Sequence, residues 1–339
     1  MAWSLRFALC VLFTSFVLTG TPTRAALTAY YTLDNTTTGI ANQGTTGAVS
    51  NLVAANGGAS GTTTGIIGGG ALTFAGGFLT ATTAGNAGDL LSAYPFTMSI
   101  WVNTPDIPGT TASAAAMSVS LKTPSDQYFQ IGAFNDDIAE MVVRNGAFQE
   151  VNSTANISGG TWRLITAVYA AGSQTIYVDG KASGTPGTLG TAFPANLDAL
   201  SIGGLLRNNV TTPSDPFPGS LDDAGLFNTA LTAADAALIN GLGRTGGIGL
   251  DQLDEAQALL AASTGSTALI GGATWQRVTG LTGTIGDWGG SVSGGNAFIV
   301  AGAGGDGLQL VATAIPEPGT WAALAILTVC GFAVGRRRV

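Results

Sequence analysis

The chain has 339 residues, 9% of them charged, with 51 glycines, two cysteines, no histidine and a formal net charge of −8. The lack of histidine excludes histidine-dependent triads, dyads and zinc sites. The acidic balance, with basic residues scattered, argues against a nucleic-acid partner, because phosphate binding needs a clustered basic face.

Residues 1–25 have the form of a secretory signal peptide. Arg6 supplies the positive n-region, residues 7–18 an almost unbroken apolar run, and Thr23 and Ala25 the small residues of a cleavage after Ala25. Cys10 lies inside the apolar run, too early for lipid modification, and Cys330 lies near the C-terminus. The exported body, residues 26–315, therefore has neither disulfides nor thiolate metal sites. It carries seven basic residues against nineteen acidic ones. This suits an extracellular protein that stays soluble among sugars or calcium, although a plain secreted β-protein has the same composition.

A chain rich in Gly, Thr, Ser and Asn favours short strands joined by turns. Period-two alternation is clear over residues 96–103, with Phe96, Met98, Ile100 and Val102 on one face and Thr97, Ser99, Trp101 and Asn103 on the other. Residues 128–134 and 138–143 read as strands joined by the turn Asn135-Asp136-Asp137. Asn145-Gly146 then turns the chain into a strand over 147–151, since both residues tolerate positive φ. Further strands are predicted over 162–169, 174–178, 200–204 and 219–227, with Asp179-Gly180 as another tight turn. Thr232 can cap a helix over 233–240, with Asp235 in the capping-box position and Gly241 ending it.

In this order the elements resemble laminin-G-like, concanavalin-A-type jelly rolls. The resemblance rests on Tyr30-Tyr31-Thr32-Leu33-Asp34, on Phe96-Thr97-Met98-Ser99-Ile100-Trp101-Val102, and on the hairpin from Trp162 to Tyr169 and from Ile176 to Lys181. A closing strand over 219–227 followed by Ala230-Leu231-Thr232 and the short helix completes it. The resemblance implies an all-β fold, an antiparallel β-sandwich spanning residues 26–245, with Trp101 and Trp162 buried.

Residues 246–315 fall outside it. A short helix is predicted over 251–262, with Leu253, Ala256, Leu259 and Leu260 near one face. Short strands follow at 274–278, 297–300 and 308–311. This region reads as a small Gly-rich β appendage or, alternatively, a flexible stalk.

The C-terminus reads Pro316-Glu317-Pro318, an uncharged stretch of 17 residues from 319 to 335, then Arg336-Arg337-Arg338. As a helix the stretch spans about 25 Å, the short limit for a bilayer. The arginines would stay on the cytoplasmic side and leave the body outside. The three parts in this order resemble the PEP-CTERM sorting signal of Gram-negative bacteria. That resemblance implies an exosortase-type sorting enzyme as a partner and delivery to the cell surface or its extracellular matrix. A plain membrane tail anchor is the alternative.

Glucan-cleaving enzymes of this sandwich type resemble one another in closely spaced glutamates on one strand, as acid and nucleophile require. The body has only Glu140, Glu150 and Glu255, none within five residues of another. Asp136-Asp137 and Asp222-Asp223 are adjacent pairs, which an ordinary strand would point to opposite faces. The family resemblance implies a calcium ion at the sandwich rim, held by Asp34, Asp222 and Asp223 with main-chain carbonyls. The competing reading has Asp34 capping a turn and one of the Asp222-Asp223 pair accepting from backbone amides. Phe193, Phe217 and Trp288 lie in Pro- or Gly-rich loops as candidate sugar platforms. The sequence as a whole points to a non-enzymatic surface protein that binds polysaccharide or another surface protein. A structural matrix protein without a ligand and a glycoside-active enzyme are the alternatives.

Overall fold

A computed structural model describes residues 26–34, 39–46, 51–82, 91–106, 113–121, 127–134, 137–194, 197–207, 212–262, 267–270, 273–285, 290–301 and 308–313. The expected leader (1–25), the sorting signal (316–339) with its membrane helix, the Asn135-Asp136 part of a predicted turn, and Trp288 lie outside them. Among the described residues no helix is long and apolar enough to cross a membrane.

The predicted alternation becomes strands in chain order. The first six are β1 (Leu27–Tyr31), β2 (Gly39–Ile40), β3 (Leu52–Ala55), β4 (Gly61–Thr63), β5 (Ala71–Ala75) and β6 (Phe78–Thr82). Next come β7 (Phe96–Asn103), β8 (Ala114–Ser120), β9 (Gln127–Phe134), β10 (Ile138–Asn145) and β11 (Ala147–Asn156). β12 (Arg163–Ala170), β13 (Ser173–Val178), β14 (Lys181–Ala182), β15 (Ala199–Ile202) and β16 (Pro218–Phe227) complete the sandwich. Helices α1 (Ala233–Gly246) and α2 (Leu253–Ala262) precede β17 (Thr267–Ile270), β18 (Ala273–Ile285), β19 (Gly290–Ala301) and β20 (Leu308–Thr313).

The first sheet runs β14-β13-β12-β7-β16-β5-β4, with β1 also paired to β16, and the second runs β11-β10-β9-β8-β15-β6-β3-β2. Strands far apart in sequence thus lie side by side: Tyr31 pairs with Ala224, and Leu221 with both Leu72 and Val102. The all-β antiparallel sandwich expected from the sequence is present, with two helices and a third sheet, β17-β18-β19-β20.

One core fills the space between the two large sheets. Phe96, Met98, Ile100 and Val102 enter it from β7, and Met141, Val143 and Val151 from β10 and β11. Tyr169 stacks on Phe96 at 4.6 Å between ring centroids, and Phe129 meets Phe96 edge-on at 4.8 Å. Such pairs contribute about 0.5–1.5 kcal/mol beyond burial. The Tyr169 hydroxyl donates to the Gln130 carbonyl at 2.9 Å, tying one sheet to the other. Phe217 is fully buried in this core, and Phe193 packs against it beside Tyr94 and Phe129, so neither is an open sugar platform.

A second core covers the outer face of the first sheet. Trp101, Leu164 and Val168 meet Ala237, Leu238 and Leu242 of α1, Leu253, Ala256 and Leu260 of α2, and Ile270 and Trp275. Trp162 is partly buried against the same cluster. Helix α1 has the predicted Thr232 cap and its Asp235 capping box. It does not stop at Gly241; it continues to Gly246 and closes on Gly247, whose φ of 60° suits glycine. The reason lies at Gly243, where a Cβ would come within 2.5 Å of the Trp101 ring. The glycines here allow helix and sheet to approach, and burial of Trp101 offsets their cost of about 1 kcal/mol each in a helix. Arg244 lies over the same ring at 5.4 Å and bonds Asp179 at 2.8 Å, fastening α1 to the β13–β14 turn.

Candidate functional site

At the rim, β16 contains a bulge between Asp222 and Gly225, with Asp223 at a φ of 47°. A bulge adds a residue to one strand and breaks the alternation of faces. Asp222 pairs with Trp101, on the face of the second core, while Asp223 reaches Tyr30 and Leu250 of that same core. The expectation that the adjacent pair points to opposite faces is therefore corrected.

The two carboxylates have different occupations. The Ile66 and Ile67 amides donate to Asp222 Oδ2 at 2.8 and 2.9 Å, which leaves Asp222 Oδ1 buried without a hydrogen-bond partner. Asp223 uses both oxygens: Oδ1 accepts from the Tyr30 hydroxyl and Oδ2 from the Leu250 amide at 2.9 Å. Burial pushes the Asp222 carboxyl up to about 8 and that of Asp223 up to about 7. Burial, then the neighbouring Asp223 charge, raises the Tyr30 phenol as well.

Asp34 follows Leu33, whose φ of 57° turns the chain as it leaves β1. Its Oδ1 is a second buried oxygen without a hydrogen-bond partner. The loop 65–70 closes over both carboxylates. A Cβ at Gly68 would lie 2.5 Å from Asp34 Oδ1, and one at Gly65 would lie 2.5 Å from Asp222 Oδ2. At Gly70 a Cβ would sit 1.9 Å from the Asp34 carbonyl oxygen. Asp34 and Asp222 thus meet around one glycine-lined loop with main-chain carbonyls beside them, while Asp223 is turned away into its own bonds. Among the described residues no group of three or more His, Cys, Asp or Glu is gathered for a metal. Asp34 and Asp222 each leave Oδ1 without a partner beside this loop, while both oxygens of Asp223 are used.

The glutamates are also placed differently from their spacing in sequence. In the β10–β11 hairpin Glu140 pairs with Asn152 and Val142 with Glu150. Glu140 and Glu150 consequently share the outer face of the second sheet as diagonal neighbours. Glu140 is fully buried, and desolvation pushes its carboxyl up to about 8.

The described strands thus form a two-sheet antiparallel sandwich with carboxylates at its rim. Residues 76–237 match the family model of the concanavalin A-like lectin/glucanases superfamily. No curated protein matches the chain. Among solved structures, the chain is similar to domain 4 of AbnA, a GH43 extracellular arabinanase from Geobacillus stearothermophilus, in complex with arabinotriose. That likeness has 18% identity and a TM-score of 0.48, covering 62% of this chain and 97% of that one. Trypanosoma rangeli sialidase is similar at 15% identity and a TM-score of 0.45, over 62% of this chain and only 32% of the sialidase. The Ruminococcus gnavus IT-sialidase CBM40 bound to α2,3 sialyllactose follows at 19% identity and a TM-score of 0.34, over 41% and 78%.

Proposed function

We propose that the chain is a non-enzymatic surface or extracellular-matrix protein whose sandwich binds polysaccharide. The observation that carries this reading is the lectin/glucanase family match over residues 76–237 on a two-sheet sandwich. The non-enzymatic part is supported by the chain's lack of histidine and of any close glutamate pair along one strand. The occupied oxygens of Asp223 add to it, since they hold the fold together. Export through the leader, sorting at Pro316-Glu317-Pro318 by an exosortase-type enzyme, and a transient membrane anchor over 319–335 complete the proposal. Titration of the purified chain with soluble polysaccharides, with released sugar measured in parallel, tests it. Saturable binding without release is expected. Sugar release would make the protein an enzyme, and an absence of binding to all glycans would leave a structural matrix role or a protein partner.

Calcium belongs to the same proposal. Asp34 and Asp222, with carbonyls of the 65–70 loop, would hold it, and the ion would supply the positive charge that two buried carboxylates need. Its role would be to stabilise the rim.

A further inference from the structure

Strand β1 begins beside a cleft of about 350 Å³ whose apolar walls are Leu27, Phe227, Leu250 and Leu253. Ala26, Asp251 and Asp254 line the same cleft, so the first residue of the exported body lies beside the acidic turn that opens α2. Ala26 is held there by backbone. Its carbonyl accepts from the Asn228 amide at 3.1 Å, and that of Leu27 accepts from the Thr45 amide at 3.0 Å. Asp251 has acidic company on its other side. A Cβ at Gly249 would meet Asp251 Oδ1 at 2.9 Å and Asp223 Oδ1 at 3.1 Å, which brings these two carboxylates together around one glycine. Gln252 Nε2 donates to Asp251 Oδ2 at 2.8 Å, but it is a neutral donor. No lysine or arginine is among the described residues that line the cleft. Like charges gathered without a cation repel one another, so this corner of the fold favours a positive charge.

We propose that the chain supplies this charge itself: leader removal creates an α-ammonium at Ala26 that seats against Asp251 and Asp254 and fastens β1 to the opening turn of α2. This rests on the reading of residues 1–25 as a leader cleaved after Ala25. Water breaks the Ala25–Ala26 bond. Its oxygen goes to the Ala25 carbonyl, which leaves as a carboxylate, and its two protons convert the Ala26 amide nitrogen into an ammonium. An unperturbed α-amino group titrates at about 7.7–8.0, so it is charged at neutral pH, and facing carboxylates strengthen that preference. Before cleavage the same nitrogen is a neutral amide that brings a donor but no charge. The apolar walls limit the water around the ammonium, and its bonds to carboxylates are of the stronger, charge-assisted kind. Processing at this bond is therefore a fastening step, which leaves the uncut chain less stable than the mature one.

The test compares residues 26–339 with the same chain preceded by Gly-Ser, each with the native aspartates and with Asp251→Asn and Asp254→Asn together. Two extra residues carry the ammonium as far as about 7 Å from its place at Ala26. The expected result is a melting temperature about 2–4 °C higher for the chain that begins at Ala26, and no such difference in the double Asn variant. Taking the difference within each pair cancels whatever the asparagines do to the fold on their own. Asp251→Asn alone, at an exposed position, should shrink the difference, and it serves if the double variant does not fold. Equal melting temperatures of the two native-aspartate forms would overturn the proposal and leave the cleft to another occupant. A difference that survives the asparagines would overturn the role of the carboxylates. N-terminal sequencing of the exported protein keeps the two readings apart. A start other than Ala26 would remove the cleavage reading and this inference with it, whereas a start at Ala26 with equal melting temperatures removes the inference alone.

Discussion

The two outer faces of the sandwich were built by the same alternation of strands but finished in opposite ways. On the first sheet, Trp101, Leu164 and Val168 are apolar and are sealed by α1, α2 and Trp275. On the second, Tyr128 and Val142 join Ala115 and Leu205 in a small buried cluster, Gln130 and Glu140 are enclosed beside it, and β11 leaves Phe148 and Glu150 exposed. The sealed face gains stability from burial, at roughly 25 cal/mol per Å² of apolar surface removed from water. The second face buries a smaller apolar cluster and encloses Gln130 and Glu140, whose desolvation is a local cost. The two sides of one fold thus differ in how much apolar surface they remove from water.

The largest effect that sharpens this contrast is expected at Trp101. Replacing this fully buried ring by alanine should cost about 3–5 kcal/mol in urea denaturation, whereas Phe148→Ala should stay within ~0.5 kcal/mol. Similar losses for the two would break the distinction between a sealed and an open face. Asp222→Ala comes next. It strands the Ile66 and Ile67 amides and should cost about 1–3 kcal/mol by the same measurement.

Glu140 gives a smaller, pH-dependent test. Its carboxyl rises from 4.5 to about 8 in the fold, chiefly by desolvation. Between those values the folded chain holds a proton that the unfolded chain has released, so stability falls as pH rises from about 4.5 to 8 and levels off above. Asp222 and Asp223, displaced upward to about 8 and about 7, act in the same direction. Glu140→Gln should therefore flatten the decline without removing it, leaving the variant on the order of 2 kcal/mol better off at pH 8.5 relative to pH 5 than the wild type is. An unchanged slope would mean that Glu140 is not desolvated as described. The smallest effect is expected at the rim. Millimolar calcium should raise the melting temperature by roughly 2–4 °C over chelator, and Asp34→Ala should abolish the rise.

Much of this architecture was legible because local chemistry and tertiary packing agree. The β7 alternation, the Asp179-Gly180 turn and the Thr232 capping box each appear where the residues placed them. The misses share one cause, a contact distant in sequence. Gly241 reads as a helix stop, yet α1 continues because Gly243 must admit the Trp101 ring. Asp222-Asp223 reads as an alternating pair, yet the bulge and its positive φ put both on one face. Phe217 reads as a loop aromatic, yet it fills the core. The open face was hidden for a subtler reason. A two-residue Asn145-Gly146 loop would pair Glu140 with Val151, but here Asn145 pairs with Ala147 across Gly146 alone. That single-residue change of register decides which of Glu150 and Val151 faces outward with Glu140.

Hydrogen–deuterium exchange of the full chain tests the contrast between the two faces most directly. The account predicts slow exchange over β7, β12 and α1, which share the second core, and faster exchange over β11, whose Phe148 and Glu150 are exposed. Faster exchange over β7 and α1 than over β11 would contradict it.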